Sequence, residues 1–514
     1  MNYLAAWERS VRCYPTDTAL VDETGDERTY AELDAESTAL ANAVHERIPD
    51  QRCATLALNG IPTVASMLAG QKRGRATVQL PFRAGEDELA RMFDDADVGA
   101  VLFDDANADL ALYVVEHTDV EFALHAGEED VDHDAVRDYD AVLADARDDD
   151  VVESADTNEY GVFYTSGTTS RPKGVLFDQE SMWYGATQVV MEMSLVPTDT
   201  ALVTTPWYHM VTTAAWILPH LLTGATLVLQ PRFEPDESLA LVEEHGVTGM
   251  LAVPTQLDTL ADRQAELDRD VSTLEKIRTG GAVVSRSLVD RASEYLTENV
   301  YNSYGLTEGG PNLAYAHPSA QEDHLSTVGK ESFAWELRVV EAATPEEKPD
   351  PDAVVEPGGT GELLARSPAM GDGYLNNPEE EEKLFVDGWL RTFDVADVDE
   401  DGYLYIVDRV DNMIVSGGEN VYPQEVEQIL LEHDGVRDIG VIGLPDDHWG
   451  QVVAAVVSVE DGVTEEELDQ FCQDHHDLAN FKRPRRYVLT TDELPRTDTG
   501  TLERSTVKNE YFDA

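Results

Sequence analysis

With 514 residues, 102 of them Asp or Glu against 36 Lys or Arg, the sequence carries a formal net charge of −66 and is long enough for more than one domain. Its 42% of hydrophobic residues excludes an acidic disordered chain, and so negative a field excludes a nucleic-acid partner, whose phosphates it would repel. Because the acids run throughout, the expected setting is the very salty cytoplasm of a halophile: near 1 M salt the Debye length is about 3 Å, so self-repulsion is screened.

The N-terminal stretch MNYLAAWERSVRCYPTD has no basic start followed by an apolar run, so no signal peptide is expected. Residues 29–44 (TYAELDAESTALANAV) place apolar groups at helical spacing after a Thr and predict an amphipathic helix. Short apolar runs at 54–58, 100–103 and 225–229 alternate with helical stretches, the pattern of parallel strands with crossover helices. Residues 128–156 are dense in acids and predict a solvated helix and connector leading into a strand at 160–164. The most apolar stretch, 211–230, is interrupted by Pro219, His220 and Gly224; it predicts buried core and no membrane span. A Pro-, Glu- and Gly-rich segment at 341–361 marks a surface loop. Beyond Asp408 a Gly-rich turn at 416–419 opens an amphipathic helix, short β runs follow at 438–443 and 451–459, and a domain boundary is expected near Arg409. Cys13, Cys53 and Cys472 are odd in number and far apart, which implies no disulfide framework and fits a reduced cytoplasm. Cys472 with His475 and His476 hints at metal ligation, but no partner cluster follows, and a surface helix is expected there.

The string YGVFYTSGTTSRPKGV at 160–175 carries the strongest chemical signal. Strand residues feed a loop of Thr165, Ser166, Gly167, Thr168, Thr169 and Ser170, followed by Arg171, Pro172 and Lys173. Small hydroxyl residues and glycine let backbone N–H groups approach an anion, and the lysine supplies a point charge. The spacing is not that of the G-x-x-x-x-G-K-[ST] phosphate loop.

This string resembles the phosphate-loop signature of the adenylate-forming superfamily: acyl- and aryl-CoA synthetases, luciferases and peptide-synthetase adenylation domains. Other segments, in the same order, strengthen the resemblance over essentially the whole chain. Pro206-Trp-Tyr-His209 is similar to the segment at the acyl pocket. Gly280-Gly-Ala282 and Asn302-Ser-Tyr-Gly-Leu-Thr-Glu308 resemble the strand ends that hold adenine and metal. Trp389-Leu-Arg-Thr-Phe-Asp394 resembles the ribose motif, and Asp408-Arg-Val-Asp-Asn-Met-Ile414 with Ser416-Gly-Gly-Glu-Asn-Val-Tyr-Pro423 resembles the hinge and thiol-side loop.

The resemblance implies an α/β fold: a large N-terminal AMP-binding domain of stacked α/β sheets with an accessory β region over 1–408, and a small mobile α+β domain over 409–514. It also implies an AMP-forming ligase that uses ATP and Mg²⁺ to turn a carboxylic acid into an acyl-adenylate and then a coenzyme A thioester. In that frame residues 165–169 and Lys173 hold the β- and γ-phosphates, Thr307 contacts the α-phosphate and Glu308 binds Mg²⁺. Gly281, Ala282, Asn302, Ser303 and Tyr304 line the nucleotide. Asp394 takes the ribose hydroxyls, since an ionised carboxylate offers two acceptor oxygens, and Arg409 adds a ribose or phosphate contact. His209 stands at the pocket mouth, and Asp411 at the pivot of the small domain. Gly417, Gly418, Glu419 and Asn420 shape the thiol tunnel, with Tyr422 flanking it. Trp207, Tyr208 and Trp216 are candidates to stack on an aromatic acid or pack against a fatty one.

Three positions depart from the family pattern. Thr501 stands where a lysine normally reaches the substrate carboxylate and α-phosphate, a preorganised contact worth roughly 10²–10³ in rate. Arg496, Arg504 and Lys508 are its candidate substitutes. Ser170 replaces a glycine of the loop, and Phe393 replaces the glycine before the ribose aspartate. The alternatives are an amino-acid adenylation enzyme, though Pro-Trp-Tyr-His-Met lacks the aspartate that would pair an α-amino group, and an impaired ATP-binding relative without the lysine.

Overall fold

A computed structural model describes the chain except at residues 149–157, 166–171, 283, 325, 345–346, 418, 434, 447, 461, 477, 497–501 and 513–514. The chain divides into two compact units, Met1–Leu337 with Ala365–Leu390 and Arg338–Leu364 with Arg391–Ala514.

In the first unit, runs of small and β-branched apolar residues form strands buried on both faces, as parallel strands flanked by helices must be. One sheet runs in the order Lys330–Glu331, Ala314–Ala316, Val300–Tyr304, Lys276–Gly280, Gly249–Leu251, Thr200–Val203, Thr226–Leu229, Thr18–Asp22, Glu27–Thr29. Its central members are parallel, and its margins are closed by antiparallel strands. A second sheet runs Gly373–Tyr374, Lys173–Asp178, Glu159–Thr165, Thr77–Gln79, Arg52–Leu56, Val98–Phe103, Phe122–His125, Val136–Asp138. The largest core cluster joins side chains of both sheets, such as Leu20, Leu227, Phe163 and Val175, to those of helices Tyr3–Cys13, Tyr30–His45, Ile61–Arg73 and Gln179–Met193.

Local sequence explains the entries to these elements. The helix Tyr30–His45 starts where Thr29 and Glu32 cap each other: Glu32 N donates to Thr29 Oγ1 (3.2 Å) and Thr29 N to Glu32 Oε2 (2.8 Å), a reciprocal cap for two otherwise orphaned N–H groups. The apolar stretch at 211–230 breaks into a π-helical turn Thr213–Ile217, the helix Leu218–Thr223 and the strand Thr226–Leu229. Among the described residues no helix is long and apolar enough to cross a membrane.

The second unit contains two smaller sheet systems. Trp389–Val398 pairs antiparallel with Leu404–Arg409, with Asp394 opposite Arg409. The long hairpin of Val436–Asp446 and Gly450–Val459 is joined in parallel by Arg486–Thr490. Helices Pro423–Leu431 and Glu465–Asp474 add Val426, Leu430 and Leu468 to the core of this sheet.

Candidate active site

Strands Glu159–Thr165 and Lys173–Asp178 are antiparallel neighbours, with Thr165 directly opposite Lys173. They therefore form the two sides of a hairpin whose connection carries the loop motif. Ser166, Gly167, Thr168, Thr169, Ser170 and Arg171 lie outside the described residues.

Lys173 opens its strand, and the short strand Gly373–Tyr374 lies alongside, with Tyr374 opposite Val175. The Lys173 ammonium stands 5.1 Å from the centre of the Tyr374 ring, a cation–π geometry worth roughly 0.5–2 kcal/mol. The Tyr374 hydroxyl donates to Glu308 Oε1 at 2.5 Å. Lys173 Nζ also donates to Glu380 Oε2 at 2.5 Å. Glu380 sits in the first turn of the helix Pro378–Leu384, whose Asn377 cap accepts from its N–H. Lys173, then Lys383, hold the Glu380 carboxyl below the usual carboxylate range. The first unit thus brings together Lys173, Glu308, Tyr374 and Glu380. The sequence motifs point to the first two and not to the others, because Glu380 is one acid in the run PEEEEK with nothing local to single it out.

Thr307 and Glu308 lie on the 3-10 turn Thr307–Gly309, and Gly371 N donates to the Glu308 carbonyl (2.9 Å). A carboxylate beside a hydroxyl is a hard-oxygen donor set of the kind Mg²⁺ takes, so these residues fit the metal that the motif implies. The preceding strand ends are held close. A Cβ on Gly280 would lie 2.2 Å from the Ser303 carbonyl, so only glycine fits there. Asn302 Nδ2 donates to the Thr327 carbonyl, and Ser303 Oγ donates to that of Thr279 and accepts from Arg278 Nε. Arg278 is fully buried and also donates to the carbonyls of Ala215 and Pro311. Gly281 and Ala282 are exposed just beyond this strand, and Tyr304 is buried at the end of the next.

His209 caps the short helical turn after the Pro206 motif, with its ring centre 4.3 Å from that of Tyr208. Tyr208 in turn meets Phe82 edge-on at 5.0 Å. Trp207 and Trp216 belong to the core instead: their indole N–H groups donate to the carbonyls of Ala57 and Leu202, and both rings are buried.

In the second unit the buried Asp394 accepts from Arg409 Nη1 at 3.2 Å, and Arg409 Nη2 lies 3.7 Å from Asp411. Phe393 precedes Asp394 with φ +58°, a left-handed conformation that costs a non-glycine residue about 1–2 kcal/mol. Its ring centre lies 4.3 Å from the Arg391 guanidinium. Arg391 forms a buried two-point pair with Glu362 (2.5 and 3.1 Å). Asp408 is also buried and accepts from Arg409 N, Asn412 Nδ2 and Gln424 N, so it caps the start of the helix Pro423–Leu431. Gly417 has φ +64° and donates its N–H to the Trp449 carbonyl, while Glu419 is exposed opposite Ser416. Gly418, the side chain of Asn420, and Thr501 lie outside the described residues. Of the candidate substitutes for the missing lysine, Arg504 is held by both oxygens of Glu427 and by the Val441 carbonyl, and Arg496 bonds Asp438.

The AMP-binding enzyme family model matches residues 7–375, and the AMP-binding enzyme C-terminal domain model matches residues 425–501. A feruloyl-CoA synthase from an Amycolatopsis species is 33% identical over 99% of each chain. A 2-succinylbenzoate–CoA ligase from Listeria monocytogenes is 28% identical over 98% of each chain. Among solved structures, the o-succinylbenzoate CoA synthetase from Bacillus subtilis in complex with its acyl-adenylate intermediate superposes with a TM-score of 0.83. It is 28% identical and covers 99% of this chain and 98% of its own.

Proposed function

Because this chain belongs to the AMP-binding enzyme family, we propose that it is an AMP-forming ligase joining an aromatic carboxylic acid to coenzyme A at the expense of ATP. The acid–thiol ligase activity is that of its full-length relatives. The aromatic class is the finer reading, supported by relatives named for feruloyl and 2-succinylbenzoate substrates. The observation that carries the reading is the meeting of Lys173, Tyr374 and Glu308. Tyr374 is 66 residues from the Glu308 it bonds, and its ring faces the lysine of the loop motif.

In the first half-reaction a carboxylate oxygen bonds to the α-phosphorus while the bond to the β-phosphate oxygen breaks, releasing pyrophosphate. Anion approaches anion, so charge neutralisation and in-line positioning supply the catalysis. Lys173, with residues 165–169, holds the β- and γ-phosphates, which take the place of the Glu380 carboxylate on its ammonium. Thr307 contacts the α-phosphate. Glu308, oriented by Tyr374, would hold Mg²⁺, which would supply charge neutralisation to the phosphates. Gly281, Ala282, Asn302, Ser303 and Tyr304 line the nucleotide, Asp394 and Arg409 hold the ribose, and His209 flanks the acid. In the second half-reaction the thiolate sulfur attacks the acyl carbon and AMP leaves with the electron pair, with Gly417, Gly418 and Glu419 bordering the thiol. Asp411 is the pivot about which residues 409–514 turn between the two steps, since a hinge needs only a few residues to absorb the change. The acid-rich surface suits a cytoplasm of high salt.

Pyrophosphate release in molar KCl with ATP, Mg²⁺ and a panel of cinnamic, benzoic and fatty acids tests this function. Aromatic acids are expected to drive release, with thioester forming only when coenzyme A is present. Release with fatty acids alone would overturn the aromatic class, and none with any acid would overturn adenylation. Lys173→Ala, Glu308→Ala and Asp394→Ala are each expected to lower kcat/KM for ATP by about 10² or more. Wild-type values for all three would sink the site assignment.

A further inference from the structure

Among the described residues, eight non-glycines have positive φ: Asp97, Asn158, Ser194, Asp268, Ser326, Asn376, Asp387 and Phe393. Seven have a short polar side chain, and Asp and Asn in particular ease the left-handed conformation by bonding the local backbone. Phe393 has no such means, so its surroundings must hold it there.

Those surroundings are rigid. The Phe393 ring lies on the Arg391 guanidinium. Arg391 is fixed by both oxygens of Glu362 and by the carbonyls of Glu347 (2.9 Å) and Thr344 (3.1 Å). Glu362 and Arg391 are fully buried, and a guanidinium with its forks engaged has no other rotamer to adopt. Next in the chain, Thr392 Oγ1 donates to the Leu363 carbonyl and accepts from Asp394 N. A left-handed residue inside a strand bends it and re-aims the side chain that follows. Here that side chain is the Asp394 carboxylate, directed to Arg409 Nη1.

We infer that Phe393 is a positioning residue for the nucleotide sugar: its ring, clamped on the Arg391–Glu362 pair, sets the backbone turn that aims Asp394 at the ribose hydroxyls. This inference rests on the assignment of Asp394 to the ribose made above. Phe393 does not itself touch the nucleotide. It keeps the carboxylate at the position and angle that two neighbouring hydroxyls require, and so contributes to the preference for a ribonucleotide over a deoxyribonucleotide.

The test is the ratio of kcat/KM for ATP to that for 2′-deoxy-ATP, measured in molar KCl. Both substrates meet the same enzyme preparation, so a partly unfolded variant leaves the ratio unchanged. Phe393→Leu keeps apolar bulk without the ring, and Phe393→Gly keeps the left-handed backbone at no steric cost. Phe393→Leu is expected to raise KM for ATP about tenfold with kcat within about twofold and to bring the ratio close to 1, whereas Phe393→Gly, which takes the turn without a clamp, is expected to keep the ratio near wild type. Phe393→Tyr restores the ring and is expected to retain the wild-type ratio. A wild-type ratio in the Leu variant, or a ratio near 1 in the Gly variant, with a lost preference in Asp394→Ala, would overturn the inference and leave the ribose assignment standing. An unchanged ratio in Asp394→Ala would overturn that assignment and the inference with it.

Discussion

His220 shows how far a single residue depends on its surroundings. It is fully buried on the helix Leu218–Thr223, with Nδ1 2.6 Å from the Trp216 carbonyl oxygen. That oxygen can only accept, so Nδ1 carries the proton of the neutral ring. Burial pushes the pKa down from 6.5 to about 4; Trp216 and Asp199 oppose the change, and Lys276 and Arg278 reinforce it. A folded pKa below the unfolded one means that stability is full above about pH 6.5 and is lost as pH falls towards 4, by about 3 kcal/mol in all. His220→Gln is therefore expected to melt with a shallower pH dependence than wild type between those limits, and parallel melting curves would refute this. Nothing in the stretch LPHLLTG announces such a role, because it follows from what the fold packs around the ring. The same limit applied at the candidate site. Lys173, Glu308 and Asp394 could be picked out as candidates because each sits in a local string, whereas Glu380, Tyr374 and Arg391 take their meaning from partners as much as 207 residues away.

At the scale of elements, the Glu362–Arg391 pair ties the strand Thr360–Arg366 to Trp389–Val398 within the second unit. Removing one member of a buried pair leaves an uncompensated charge and typically costs about 3–5 kcal/mol, whereas replacing both with apolar groups can be neutral. Glu362→Ala is thus expected to lower the urea midpoint of this unit sharply, and Glu362→Leu with Arg391→Met to recover most of the loss. A double variant as unstable as the single one would show that the pair does more than satisfy itself. Elements with a strong local signature were legible in the same way: the capped helix Tyr30–His45 and the strands Glu159–Thr165 and Gly450–Val459 fall where periodicity and apolar runs indicated. The three-residue strands Thr77–Gln79 and Gly249–Leu251 are too short to show a period. The order in which strands lie side by side is set by crossover packing, which no local window contains.

At the scale of the whole molecule, two opposite effects of salt compete. Salt weakens exposed ion pairs such as Arg263–Asp236 and Arg291–Asp258, each worth about 0.2–1 kcal/mol at best. It also screens the repulsion among 102 acids that only 36 basic residues oppose. With nearly three acids for every base, most carboxylates have no cation to lose, so relief of repulsion outweighs the lost pairs. The Tm is therefore expected to rise between about 0.1 M and about 2 M KCl, as the Debye length shrinks from roughly 10 Å to below 3 Å. The same screening acts on the substrates, because ATP and coenzyme A are anions approaching a strongly anionic protein. Thus kcat/KM for ATP should climb with KCl over the lower part of that range, where long-range repulsion is being removed. It should then level off, because direct contacts such as the proposed one of Lys173 with phosphate are made inside the Debye length. Calorimetric melts and pyrophosphate assays across one KCl series would check both. A Tm that falls with KCl would mean that the surface pairs dominate. A kcat/KM that falls from the first addition of salt would mean that the local cations of the site, and not the net charge, govern the approach of ATP.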